Sequence, residues 1–195
     1  IVASETGTQT KIQIANIKKE LEENVLLIQD YGEFQTPKLK EEWTASNVVL
    51  ANGARILGRS RGQKIRGLRH LQYRPDLVIA DDIESAESVR VKEQRDKTEE
   101  WFLSEVLPGV DPGTGRVLLI GNLLHSDSVI ARIKKRIVED EIGTLKEFPL
   151  LNSYGNTAWP EKFTSEVVER IKKQSGRFFK REYQLELVPE EGQII

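Results

Sequence analysis

The sequence predicts an α/β domain with a mainly parallel sheet, and three observations predict it. Two short, unbroken apolar runs, Leu77-Val78-Ile79-Ala80 and Val117-Leu118-Leu119-Ile120, are bounded by polar residues. Such runs read as strands buried on both faces, as in parallel sheets. Both end in polar residues, Asp81-Asp82 in one case and Gly121-Asn122 in the other. Stretches of helical periodicity separate the strand-like runs, and alternating strands and helices give an α/β layer architecture.

The elements follow in order. Ile1-Val2-Ala3 reads as a short strand and Ser4 to Thr10 as a polar turn. Lys11 to Asn24 has Ile14, Ile17 and Leu21 on one helical face. Tyr31 to Thr44, with Pro37, reads as a loop. Asn47–Ala51 and Ala54–Leu57 flank Asn52-Gly53, which favours a type I′ hairpin turn. The Leu77 strand follows a basic loop. Ser85 to Leu107 reads as a charged helix anchored by Trp101, Phe102 and Val106 and stopped by Pro108-Gly109. After the turn at 111–115 comes the Arg116–Ile120 strand, expected to be buried. It should lie beside the Leu77 strand, parallel and central. Ser126 or Asp127 is placed to cap a helix carrying Val129, Ile130, Ile133 and Ile137. Leu145 to Leu151 reads as a strand. Thr164 caps a helix ending at Gly176, with Phe163 and Val168 spaced as a hydrophobic staple. Phe178 to Leu187 reads as a last helical piece.

Composition bounds the function classes. The 195 residues suffice for one domain with a core, and 38% hydrophobic with 31% charged residues is a globular balance. No apolar run reaches the roughly 20 residues of a membrane span. Cysteine is absent, which removes disulfides and thiolate-bound zinc. Only His70 and His125 are available as imidazoles. Methionine is absent, Ile1-Val2-Ala3 reads as a strand already under way, and Gly192-Gln193-Ile194-Ile195 reads as one beginning. The expectation is a piece of a longer protein.

Acidic residues at the carboxyl end of a buried strand sit where open α/β sheets bind ligands. There, one carboxylate of Asp81-Asp82 can hold Mg²⁺ and the next can orient a water for attack on a phosphate. This is the Walker B arrangement of ATPases. The plainer reading is a strand ending in a solvated acidic turn. Upstream, Trp43 to Pro75 contains no acidic residue but holds Arg55, Arg59, Arg61, Lys64, Arg66, Arg69 and Arg74. A net charge of -2 conceals this division. Such a stretch points to a polyanion, either nucleic acid or nucleotide phosphates. Its alternative is a solvated loop whose cations pair with the acidic segment that follows.

The order of these motifs resembles the ATPase domain of the large terminase subunit of tailed bacteriophages. The resemblance is carried by Ile1 to Lys11, Asn52-Gly53, Arg66-Gly67, and Arg74-Pro75-Asp76 running into Leu77–Glu84. It continues through Leu118–Asn122 with His125 and Asp127, Trp159–Phe163, Gly176, Phe179, Glu182-Tyr183 and Pro189. The resemblance implies a P-loop NTPase of RecA-like (ASCE) type, three-layered, with a mainly parallel central sheet whose first βα unit is missing. Residues 1–155 would form a partial ATPase core and 156–195 a helical segment leading toward an absent nuclease domain. No G-x-x-x-x-G-K-[ST] phosphate loop occurs; the glycine clusters at 6–8 and 113–115 lack the lysine. The usual Asp-Glu pair is here Asp81-Asp82.

The roles the resemblance implies are as follows. Asp81 is the Mg²⁺-linked carboxylate. Asp82 orients the attacking water, with Glu84 as the substitute. Arg66 is an arginine finger offered to a neighbouring subunit. Gly121 and Asn122 form the strand end that senses the γ-phosphate, although Asn after Gly is also a good turn former. Arg59, Arg61, Lys64 and Arg69 contact DNA phosphates. Thr6, Thr8 and Gln9 are weaker backbone-contact candidates. His125 reads as a helix-start residue, and Trp43, Trp101 and Trp159 as packing residues. The implied cofactors are ATP and Mg²⁺. The implied partners are double-stranded DNA, a portal protein, a small terminase subunit and further copies in a ring, with no membrane, in the host cytoplasm. A helicase-like ATPase and a non-catalytic assembly module remain as alternatives.

Overall fold

The computed structural model describes residues 1–35 and 42–187. Pro37, Pro189 and the strand expected at 192–195 lie outside the described residues. Five strands form one sheet: β1 (Val2–Ser4), β2 (Asn47–Val49), β3 (Arg55–Ser60), β4 (Leu77–Asp81) and β5 (Arg116–Ile120). Their order is β2-β3-β1-β4-β5. Strands β3, β1, β4 and β5 are parallel, and β2 joins β3 antiparallel. The expected α/β architecture with a mostly parallel sheet is present.

The chain divides into two compact units. The first comprises residues 1–85 and 92–121; the second comprises 86–91 and the chain from 122 onward. In the first unit, α1 (Gly7–Glu23) lies over one face of the sheet. Ile14 is fully buried in a cluster with Val2, Trp43, Val48 and Leu50, and Ile17 and Leu21 pack against it. Its approach is close because Gly58 has no side chain: a Cβ there would sit 2.7 Å from Thr10 Cγ2 and 3.1 Å from Ile14 Cγ1.

Helix α1 begins earlier than its apolar stripe indicates. Thr6 accepts from the Gln9 amide, and Gln9 Oε1 accepts from the Thr6 amide, closing a capping box. The polar turn is thereby shortened to Glu5-Thr6. Asn24 ends α1 and caps α2 (Val25–Tyr31) with its side chain.

The hairpin is confirmed, but its turn differs. The Gly53 amide bonds Leu50 O, the Leu50 amide bonds Ala54 O, and Gly53 has a φ of 83° while Asn52 is not among the positive-φ residues. A type I′ turn needs both central residues at positive φ. The loop is instead a type I turn closed by a left-handed glycine, as in three-residue hairpin loops.

The long charged helix is also subdivided. A 3₁₀ turn (Ser88–Arg90) precedes α3 (Lys92–Trp101), which runs on into a π-helical turn over Phe102–Val106 and a 3₁₀ turn at Leu107–Gly109. Trp101, Phe102 and Val106 are buried as expected. Strand β5 is not buried, and it lies at the sheet edge rather than in the centre. Leu118 is 49% and Ile120 44% exposed. Strand β4 is buried only at Val78 and Ala80.

In the second unit, α4 (Val129–Asp140) is capped by Ser128, one residue beyond the two expected. Asp127 instead pairs with Arg132 at 2.8 Å. Helix α5 (Ser165–Ser175) is capped by Thr164 and ended by Gly176 as expected, and α6 (Phe179–Gln184) follows. The strand expected at Leu145–Leu151 does not form. Leu150 N–H bonds Tyr183 O and Leu151 N–H bonds Gln184 Oε1, so these backbone donors pair with α6. Trp159 is 56% exposed, with Lys162 Nζ 4.7 Å from its ring centre, and is not a core residue.

Candidate functional site

Because β1, β3, β4 and β5 run parallel, their carboxyl ends share one edge of the sheet. Asp81 ends β4 directly opposite Ile120 at the end of β5. Asp82 then turns the chain out of the sheet at a φ of 46°. Aspartate is one of the few side chains that tolerates this left-handed geometry. Its amide donates to Ile120 O at 3.1 Å and its carbonyl accepts from the Glu5 amide at 3.2 Å. The backbone of Asp82 thus joins the ends of β5 and β1 while its side chain lies exposed.

The half-buried Asp81 carboxylate faces α1. Its Oδ2 accepts from Gln13 Nε2 at 2.7 Å, and Gln13 Oε1 accepts from Ser4 Oγ at 2.6 Å. The carboxylate dictates the amide's orientation, since an ionised acid only accepts. Glu5 lies at the same edge, 3.2 Å from Arg61 Nη1, and accepts from Ser85 Oγ at 2.9 Å. Glu84 is half-buried, with Oε1 shielded from solvent. Neither Gln13 nor Glu5 stood out in the sequence. The one available signal for Gln13 was its place beside Ile14 at the margin of the apolar stripe of α1.

Asp81 and Asp82 supply two carboxylates of the type that holds a phosphate-bound magnesium ion. Mg²⁺ commonly takes one or two carboxylates plus phosphate oxygens and water. They do not amount to an all-protein cage: among the described residues no group of three acidic, histidine or cysteine side chains is placed to hold an ion.

The two glycine clusters sit in ordinary local structure: one at the start of α1, the other in the turn before β5. Thr6 and Gln9, two of the backbone-contact candidates, are engaged in the capping box of α1. Gly113 and Thr114 donate their amides to Asp111 Oδ1, each at 3.0 Å. These bonds hold the Asp111 carboxyl below its usual range.

The basic stretch is heterogeneous. Arg61 is a structural cation: besides its pair with Glu5 it donates to Ile83 O at 3.3 Å and is largely buried. Its guanidinium is held by a carboxylate and a carbonyl, unlike that of Arg59, which donates to Gly58 O. Arg69 is exposed. Arg59, Lys64 and Arg66 converge, with Gln63, Gly67 and Leu68, on an open pocket of about 610 Å³. Residues read in sequence as two groups, a finger and a set of DNA contacts, therefore share one concavity.

The loop bearing them is braced from below. Glu105 in the π-helical turn accepts the amides of Ile65 and Arg66, both at 3.0 Å. Those backbone bonds, first, and the nearby Lys64 and Arg66 charges lower the Glu105 pKa from its ordinary value. Trp101 Nε1 donates to Gln63 O at 2.7 Å.

Gly121 closes the first unit and Asn122 opens the second, where its amide donates to Glu182 Oε2 at 3.4 Å. His125 has the expected helix-start role: Nδ1 accepts from the Asp127 amide and its carbonyl from the Ser128 amide. No protein-family model matches this chain, and a search of curated proteins returned no match.

Proposed function

We propose that this chain is part of the ATPase domain of a DNA-packaging motor of the large-terminase type, acting on duplex DNA. One observation carries the reading: β4 and β5 are adjacent, parallel and in register, with Asp81 and Asp82 at their carboxyl edge. That is where a parallel sheet presents side chains to a ligand.

Asp81 is the carboxylate suited to a magnesium–nucleotide complex, oriented by Gln13 from α1. Bound there, the ion would neutralise charge on the nucleotide's phosphates. Asp82, exposed and projected by its left-handed backbone, is suited to accept a proton from an attacking water, with Glu84 as the neighbouring substitute. Arg66 is the candidate for offsetting charge on the phosphoryl group of a neighbouring copy. The lysine-bearing phosphate grip itself is not among these residues: the cluster at 113–115 commits two amides to Asp111, and neither cluster carries a Gly-Lys-[Ser/Thr] element. We assign that grip to a separate phosphate loop of the Gly-Lys-[Ser/Thr] type, which residues 1–195 do not contain. Portal and small-subunit contacts, a ring of copies and a host-cytoplasmic setting belong to the same proposal. No helix among the described residues is long and apolar enough to cross a membrane.

ATP turnover by the full-length protein tests this. Asp82→Asn should lower kcat by roughly 100-fold or more, the scale of general-base catalysis, with nucleotide affinity held within about threefold. Full activity in both Asp82→Asn and Glu84→Gln would sink the assignment.

A further inference from the structure

The most distinctive feature outside the Asp81 edge is the concavity lined by Arg59, Lys64 and Arg66. We propose that these three side chains form a single phosphate-binding pocket, receiving either a backbone phosphodiester of duplex DNA or the phosphates of a nucleotide.

Four observations support it. First, the three cations come from the end of β3 and the six residues after it, and none forms an ion pair with a carboxylate among the described residues. Arg59 Nη1 donates only to the carbonyl of its neighbour Gly58. Arg61, in the same loop, has both a carboxylate and a carbonyl and is absent from the pocket. Second, the nearest acid, Glu105, is turned onto the amides of Ile65 and Arg66. It stiffens the loop and attracts Lys64 and Arg66 without forming an ion pair with either. Burial and the adjacent Arg55 make the Arg59 cation harder to keep charged, which an anion would relieve.

Third, the pocket is preorganised. Gln63 is held by Trp101 and by the Ser60 amide, and Ile65 is fully buried against Gly109, where a Cβ would approach Ile65 Cγ2 to 2.6 Å. The loop backbone is thus ordered in advance, and the ordering left to binding is that of the exposed Lys64 and Arg66 side chains. Fourth, the pleat separates this site from the Asp81 edge. Arg59 is the Cα partner of Ala3, whereas Ser4 and Asp81 lie on the α1 face, where Gln13 bonds both. An anion held by Arg59 is therefore on the other face of the sheet from the Asp81 carboxylate of the same copy. This assignment rests on the pocket and not on the ATPase reading, so either can fail alone.

The test is direct binding to this chain, read by fluorescence anisotropy of a labelled mixed-sequence duplex and by calorimetry with tripolyphosphate. Wild type is compared with the Arg59→Gln/Lys64→Gln/Arg66→Gln variant. The control is Lys19→Gln, an exposed residue of α1 on the opposite face. Circular dichroism confirms that all three are folded. If the ligand is duplex, log K against log salt should lose about one unit of slope in the triple variant, at ~0.9 for the one phosphate contact, and none in the control. If it is a nucleotide, tripolyphosphate should bind wild type and control, the triple variant should lose that binding, and the duplex slope should not change. Either result supports the pocket and identifies the source. Duplex and tripolyphosphate binding both indifferent to the triple substitution would overturn it.

Discussion

Replacing Gln13 with leucine should loosen the sheet edge at Asp81, by an amount the structure allows to be worked out. The substitution keeps approximate size and removes two hydrogen bonds at once. One goes to an ionised acceptor, Asp81 Oδ2 at 2.7 Å; such bonds contribute about 1.5–3 kcal/mol net. The other comes from Ser4 Oγ at 2.6 Å, a neutral bond of about 0.5–1.5 kcal/mol. Ser4 is only 1% exposed, so water replaces Gln13 poorly there. Asp81 is half-buried, and water recovers part of its bond. The loss should be about 2–3 kcal/mol. Urea unfolding followed by circular dichroism reads this as an unchanged m and, for an m near 2 kcal/mol/M, a midpoint lower by about 1–1.5 M. Adding Asp81→Ala supplies the second half of a mutant cycle, with an expected coupling of about 1.5–2 kcal/mol between the two sites. A Gln13→Leu cost under about 0.5 kcal/mol, the range of ordinary surface changes, together with zero coupling, would refute the reasoning.

Other outcomes follow from single contacts. Glu105 has a depressed pKa from two backbone amides, so its stabilisation is full above the ordinary carboxylate pKa and fades as pH falls through the lower folded value. Glu105→Gln should remove that acid-side loss, seen as a flatter dependence of urea midpoint on pH. Gly58→Ala should cost about 1–3 kcal/mol, since its methyl group meets Thr10 and Ile14 of a packed helix; thermal melts would show it. Gly115→Ala is predicted to be at least as damaging, because its Cβ would sit 2.4 Å from the Asp111 carbonyl oxygen, which is backbone and cannot swing away.

The sequence alone determined those elements whose signals are local. The apolar runs at 77–80 and 117–120, the stripe of Ile14, Ile17 and Leu21, the hairpin at Asn52-Gly53 and the Thr164 and Gly176 caps all depend on neighbours within a few residues. Asp81 and Asp82 were legible for the same reason, as polar residues closing an apolar strand. What failed was set by partners far along the chain. The backbone donors at Leu150 and Leu151 go to α6, so no strand forms there. Leu118 and Ile120 are exposed while Val117 and Leu119 are partly covered, so exposure alternates with the face of β5, which composition does not encode. Gln13 meets Asp81 across 68 residues, and Arg61 meets Ile83 O across 22 while pairing with Glu5 at the end of another strand. The basic stretch had seven interchangeable letters in sequence. Tertiary structure separated them: Arg61 is paired with Glu5, whereas Arg59, Lys64 and Arg66 line one concavity with no ion pair among the described residues and leave a net positive field there.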